Sequence, residues 1–333
     1  MRLTLQLSST NFLVRFAPIN PAPPVIKTLL RDKISFMVDI ICALCAKKQQ
    51  IKILYPATFK EKGISDKVYS ARRMPDKIHY RILKCERCGL VFSSPIFSNS
   101  KITSLYGSSF CSYSEQISYT TKTYLDIFKK IKKTIPRNSK VLDIGCGNGF
   151  FLDALTNIGV NNVYGVEPSS KMVNQASKKF RKNIKVDIFR PNQFPNNFFN
   201  VVSCFHTLDH VTDPNKFIKN TWDILAPGGF AIFITHDVGS IFAKIFGEKW
   251  PIFDIEHIYL FNSNTLNSLF SKHKFKNINT FDVKNIYPLS YYVKMSPFSM
   301  NIKKVLKNVI CKLRLSNLAM PLVSGNIGII AQK

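Results

Sequence analysis

Val141-Leu142-Asp143-Ile144-Gly145-Cys146-Gly147-Asn148-Gly149-Phe150 carries an apolar, strand-type segment straight into a glycine-rich turn and the start of a helix. Glycines in such a turn let the backbone approach a ligand closely. A dinucleotide fingerprint would read G-x-G-x-x-G and set a pyrophosphate against the helix N-terminus. Here the third glycine comes one residue early, and Asp143 lies two residues before the first.

A carboxylate beside the loop repels a pyrophosphate but suits an ammonium and a sulfonium, the charges at the methionine end of S-adenosylmethionine. On either side of the loop, strand and helix patterns alternate: Lys140–Ile144, Gly149–Ile158, Asn162–Glu167, Ser169–Phe180, Ile184–Phe189, Phe199–Phe205, Pro214–Leu225 and Gly229–His236. That alternation predicts a parallel sheet with helices on both faces. A helix over 115–135 precedes it, and the tail adds a helix at Ser263–His273, a strand near Asn277–Val283, a basic segment at Lys303–Arg314 and a last strand at Gly325–Ala331. The second strand ends at Gly165-Val166-Glu167-Pro168, about 20 residues beyond the loop, where an acidic side chain in such folds accepts from ribose hydroxyls.

Four segments in order carry a family resemblance: D-I-G-C-G-N-G at 143–149, G-V-E-P-S at 165–169, Phe205-His206-Thr207-Leu208-Asp209-His210-Val211, and Leu225-Ala226-Pro227-Gly228-Gly229. Together they resemble the motifs of class I S-adenosylmethionine-dependent methyltransferases. The resemblance implies a Rossmann-like α/β fold whose seven-stranded sheet ends on an antiparallel strand. It also implies a cofactor site built from Asp143, Gly145, Cys146, Gly147, Glu167, Asp187 and His206. Two positions depart from the family pattern: Asn200 stands where an Asp is common, and Asp209 where a Glu is common.

Cys42-x-x-Cys45 and Cys85-x-x-Cys88 supply four thiolates, the donor set of a closed tetrahedral structural zinc site. Gly89 follows the second pair and Ala46 the first. The 39 residues between the pairs exceed the usual ribbon separation of about 15–20, so the chain must make an excursion and return. A redox pair, an iron–sulfur site or ordinary buried cysteines are the alternatives, and zinc is preferred over them. The stretch from Tyr69-Ser70-Ala71-Arg72-Arg73-Met74-Pro75 through Cys88-Gly89-Leu90-Val91 also resembles the front module of a group of bacterial small-molecule methyltransferases. The expected organisation is thus an extension over 1–36 with Met37 as the favoured start, a zinc-ribbon-like module over 37–114, and a methyltransferase domain over 115–333 with a lid insertion near 237–262.

Methyl transfer from a sulfonium is an in-line displacement, so the protein aligns the two partners and removes a proton from a hydroxyl or amine acceptor. His210, after the fourth strand, and His257, in the insertion, are the candidate bases. His206, His236 and Tyr259 are weaker candidates, and Trp250–His257 reads as an aromatic wall. The formal charge of +27 attracts anions such as nucleic acid. The lysines are dispersed, however, and neither an Asn/Asp-Pro-Pro-aromatic motif nor a Pro-Cys nucleophile is present. A small-molecule acceptor, on a sugar or secondary metabolite, is therefore preferred over RNA, and over a ligand-holding protein without turnover. Paired cysteine spacing and the lack of a membrane-length apolar run predict a cytoplasmic protein.

Overall fold

The structure, a computed structural model, describes residues 37–46, 50–59, 76–108 and 116–333. The expectations for 1–36 lie outside these residues. Five parallel strands form the centre: β6 (Lys140–Ile144), β7 (Asn162–Glu167), β8 (Ile184–Val186), β9 (Phe199–Phe205) and β10 (Leu225–His236). β13 (Ala319–Gln332) runs antiparallel to β10 and pairs on its other side with β12 (Lys276–Pro288). The order is β12-β13-β10-β9-β6-β7-β8, the seven-stranded Rossmann-like sheet with its last strand reversed.

Successive residues of a strand point to opposite faces, and here they divide between two apolar clusters. Leu142, Val202 and Phe233 join one, whereas Val141, Val201 and Ile232 join the other. Both faces are therefore covered, as parallel sheets require. On the second face lies α2 (Ile117–Lys132), whose stripe of Tyr124, Ile127, Phe128 and Ile131 is buried; each such side chain contributes roughly 1.5–3 kcal/mol. α3 (Phe150–Asn157) and α5 (Pro214–Ile224) follow β6 and β9. Asp213 caps α5 by accepting from the Lys216 N–H at 3.0 Å, with Pro214 in the first turn.

The helix expected over 169–180 is only α4 (Ser170–Val173). Beyond it the Arg181 guanidinium donates to the Ala176 carbonyl, and the Phe180 ring turns in against Gly149; tertiary packing overrides helical propensity there. The strands expected near 277–283 and 325–331 are both longer. β12 and β13 extend past the sheet as a hairpin, Lys284–Pro288 against Ala319–Val323, carrying α8 (Leu289–Met295) and α9 (Met300–Lys312).

A second sheet has the order β11-β4-β3-β2, formed by Tyr259–Leu260, Val91–Ser93, Ile82–Cys85 and Ile51–Tyr55. Three strands come from the cysteine-bearing region and one from the stretch read as a lid. Its Leu83, Phe92 and Tyr259, with the neighbouring Cys42, Tyr80 and Leu90, belong to the same cluster as Leu142 and Phe233 of the large sheet. All the described residues accordingly fall in one compact unit.

Candidate functional site

The loop leaving β6 is wedged between two side chains. Gly145 has φ +76°, and a Cβ there would meet Thr207 Oγ1 at 2.2 Å; at Gly149, φ +75°, one would meet the Phe180 ring at 2.7 Å. Only glycine fits both positions. Glu167, at the end of β7, ties the loop down, since its Oε2 accepts from the Gly147 N–H at 3.0 Å and its Oε1 from the Ser169 N–H at 2.9 Å. Each carboxylate oxygen keeps a further lone pair for a hydroxyl.

Asp143 is buried under the loop and accepts from Ser203 Oγ at 2.7 Å. Burial pushes its carboxyl up to about 7, with the Ser203 hydrogen bond opposing and the nearby Glu167 charge adding. The Cys146 side chain packs in the core against Gly165, so this residue offers a ligand its backbone. Asp187, just past β8, accepts from Arg190 and from Gln193 Nε2. His206 sits at φ +53° past the end of β9 and donates its N–H to the Ile234 carbonyl at 2.8 Å.

All seven residues expected to hold a cofactor line one cleft of about 830 Å³, within the range of about 300–1,000 Å³ common for ligand sites. Two carboxyls and a glycine cradle without room for a Cβ suit a cationic, ribose-bearing ligand, and S-adenosylmethionine fits that donor set. Phe242, Phe246 and Trp250 stack nearly parallel along one wall, with centroids 5.1 Å and 5.5 Å from the Trp250 ring. Phe242 and Phe246 stand on α6 (Ile241–Phe246).

Beside this cradle stand four imidazoles around one carboxylate. Asp209, fully buried, receives His236 Nδ1 on Oδ2 at 2.5 Å, with His257 Nε2 4.0 Å from the same oxygen. Its Oδ1 has no hydrogen-bond partner among the described residues and faces His210 Nε2 at 3.6 Å. His206 stacks toward His236 at 4.9 Å. Burial raises the Asp209 carboxyl, but His210, His236 and His257 around it more than offset this and hold it well below the usual carboxylate range. Burial also drives the His210 imidazole down to about 3 and lowers that of His257.

The structure thus brings the expected His210 and His257 together with the weaker candidate His236 and adds Tyr106 beside them. Tyr106, on α1 (Asn99–Ser108), sets its hydroxyl 2.7 Å from His210 Nδ1, a contact across 104 residues that no local pattern signals. His236 ends β10, whose parallel pairing with β9 brings it beside Asp209. Tyr259 does not reach the cleft; on β11 its hydroxyl donates to the Ile41 carbonyl.

Cys42, Cys45, Cys85 and Cys88 place their sulfurs within 4.8 Å of one another, with Cys42–Cys88 at 3.4 Å and Cys45–Cys85 at 3.9 Å. Zinc–sulfur bonds of about 2.3 Å in a tetrahedron require sulfurs roughly 3.8 Å apart, so the residues fit such an ion. The two knuckles match: the Ala46 N–H donates to the Cys42 carbonyl and the Gly89 N–H to the Cys85 carbonyl, both at 2.8 Å. Burial raises the Cys42 and Cys88 thiols, a penalty that a divalent cation among thiolates would offset.

Residues 115–280 match the family described as Methyltransferase domain. The glycine loop lies within this segment and β13, beyond it, completes the sheet in the reversed sense, so the segment is a methyltransferase domain of the class I S-adenosylmethionine-dependent type. Among curated proteins, the chain is 30% identical over 122 residues to a ubiquinone biosynthesis O-methyltransferase of Shewanella sp. (strain ANA-3), covering 33% of this chain and 50% of that one. It is 32% identical over 116 residues to the protein of the same name from Coxiella burnetii (strain Dugway 5J108-111), covering 32% and 48%. The chain thus spans about half the length of these relatives. A solved S-adenosylmethionine-dependent methyltransferase from Archaeoglobus fulgidus superimposes with a TM-score of 0.43 at 19% identity, covering 66% of this chain and 97% of that one.

Proposed function

We propose that this chain transfers a methyl group from S-adenosylmethionine to a hydroxyl oxygen of a small molecule held in the cleft, His236 taking the proton. The Asp209–His236 pair carries this reading. By donating Nδ1–H to a buried carboxylate, His236 is held in one tautomer, with Nε2 as its basic nitrogen. His257 donates Nδ1–H to the Ile252 carbonyl at 2.7 Å, and His210 is engaged by Tyr106. These two flank the base.

When bound, S-adenosylmethionine supplies a methyl group on a positively charged sulfur. Asp143 is placed to balance the ligand's positive charge and Glu167 to accept from its ribose. The stacked Phe242, Phe246 and Trp250 shield the acceptor from water and favour an apolar or ring-bearing molecule. The sugar or secondary-metabolite class rests on the sequence resemblance alone, and the oxygen acceptor rests on that and on the relatives' name. The four cysteines are assigned a structural zinc, because a closed thiolate set leaves no open position for chemistry.

The test begins with calorimetry of the purified chain against S-adenosylmethionine, where micromolar binding should be lost in Asp143→Ala and Glu167→Ala. Label transfer from the radioactive methyl donor to a panel of hydroxylated small molecules follows. His236→Ala should lower kcat by about 10²–10⁴ with cofactor affinity unchanged. A folded wild-type chain that ignores the cofactor, or a His236→Ala variant at full rate, would sink the reading.

A further inference from the structure

In a helix of a globular protein the apolar stripe faces the core. In α9 it does not. At about 100° per residue, Ile302, Val305, Leu306, Val309, Ile310 and Leu313 fall on one side, and no residue of the helix is buried. Val305 and Leu313 are each 61% exposed, and Met300, at its start, is 72% exposed. Lys303 and Lys307 border this stripe on one side and Lys312 on the other, and the sequence has no acidic residue after Asp282.

The exposed apolar surface continues on a second element. On α6, Ile241 and Ile245 are exposed, while Phe242 and Phe246 turn into the cleft. The Phe246 ring meets that of Phe298, just before α9, at 6.1 Å. Phe298 and Leu322 both line the cleft and lie partly exposed. Phe298 and Leu322 thus place exposed apolar side chains at the cleft itself, next to the start of α9 and to α6.

We propose that this face, α9 with the exposed side of α6, is a docking surface for a bilayer containing anionic lipid. An apolar stripe edged by lysines is the pattern of a helix lying in the plane of a membrane interface, its apolar side among acyl chains and its cations among headgroups. Charge complementarity selects this occupant: lysine and arginine without acidic residues favour an anionic surface over a second copy, which would bring like charge against like. No helix among the described residues is long and apolar enough to cross a membrane, so attachment is to one leaflet. The proposal does not depend on the identity of the acceptor.

The experiment is flotation of the full chain with vesicles of phosphatidylcholine alone and of phosphatidylcholine mixed with phosphatidylglycerol. Binding to the anionic vesicles should be roughly tenfold tighter or more and should weaken as salt is raised. The double variant Val305→Glu with Val309→Glu changes two exposed side chains. It should lose vesicle binding while keeping its melting temperature and its affinity for S-adenosylmethionine. Equal partition into both vesicle types, or unchanged binding by the double variant, would overturn the proposal. So would sedimentation showing a dimer that the double variant dissociates, because the face would then belong to a second copy.

Discussion

Asp143 is a single carboxyl buried beside the glycine loop, where the proposed reading sets a cationic ligand. Its pKa near 7 means that at pH 6 most copies are neutral, whereas a bound ammonium favours the charged form. Affinity for S-adenosylmethionine should therefore rise as pH climbs toward about 7, by up to about tenfold per unit, and level off above it. Calorimetry from pH 5.5 to 8.5 checks this, with Asp143→Asn expected to give weak, pH-independent binding. His210 acts on stability instead. Its pKa of about 3 lies below the ordinary 6.5, so the unfolded chain binds the extra proton; the stabilisation is complete above about 6.5 and is lost as pH falls toward 3. Thermal melts between pH 7 and 4 should fall more steeply for the wild type than for His210→Gln. Asp143, Glu167 and the glycines were legible because they fall in two short patterns about 20 residues apart, at the ends of β6 and β7. The sequence ranked His236 below His210 because the His236–Asp209 hydrogen bond runs between β10 and a turn 27 residues away.

Among the elements, the two knuckles of the cysteine cluster offer a matched comparison. Gly89 and Ala46 occupy the same place, and both take positive φ, +77° and +54°. That conformation suits glycine and strains alanine by about 1 kcal/mol. Ala46→Gly should therefore raise the melting temperature and slow metal loss to a chelator, and an unchanged or lower melting temperature would count against strain at this turn. The central strands and α2 were legible because their periodicities of 2 and 3.6 are set by burial on known faces. Two elements escaped for opposite reasons. The predicted helix over 169–180 gave way to packing of Phe180 on Gly149, and the β12–β13 hairpin extends past the core, where no buried face leaves a pattern.

Across the whole molecule, the cysteine-bearing region is hydrogen-bonded through β4 to the stretch that carries His257 and, through that stretch, to the turn that carries Asp209. Ser93 on β4 donates its N–H to the Ile258 carbonyl at 2.8 Å and its Oγ to the His257 carbonyl at 3.0 Å, while the Ile258 N–H donates to the Asp209 carbonyl at 2.7 Å. The cysteine knuckle, β4, His257 and Asp209 thus form one connected path. Chelation should lower the melting temperature of the entire chain by about 10 °C or more, in a single transition seen alike by circular dichroism and tryptophan fluorescence. Two resolved transitions would indicate an independent module.

The placement of β11 also sets a clock during synthesis. The small sheet cannot be completed until Tyr259–Leu260 follows its partner strand at Val91–Ser93 out of the ribosome. At roughly 5–20 residues per second, that is an interval on the order of 10–30 s. For that time the nascent chain displays four cysteines beside an unpaired strand edge, so the yield of native protein should depend on how reducing and how metal-replete the translating cell is.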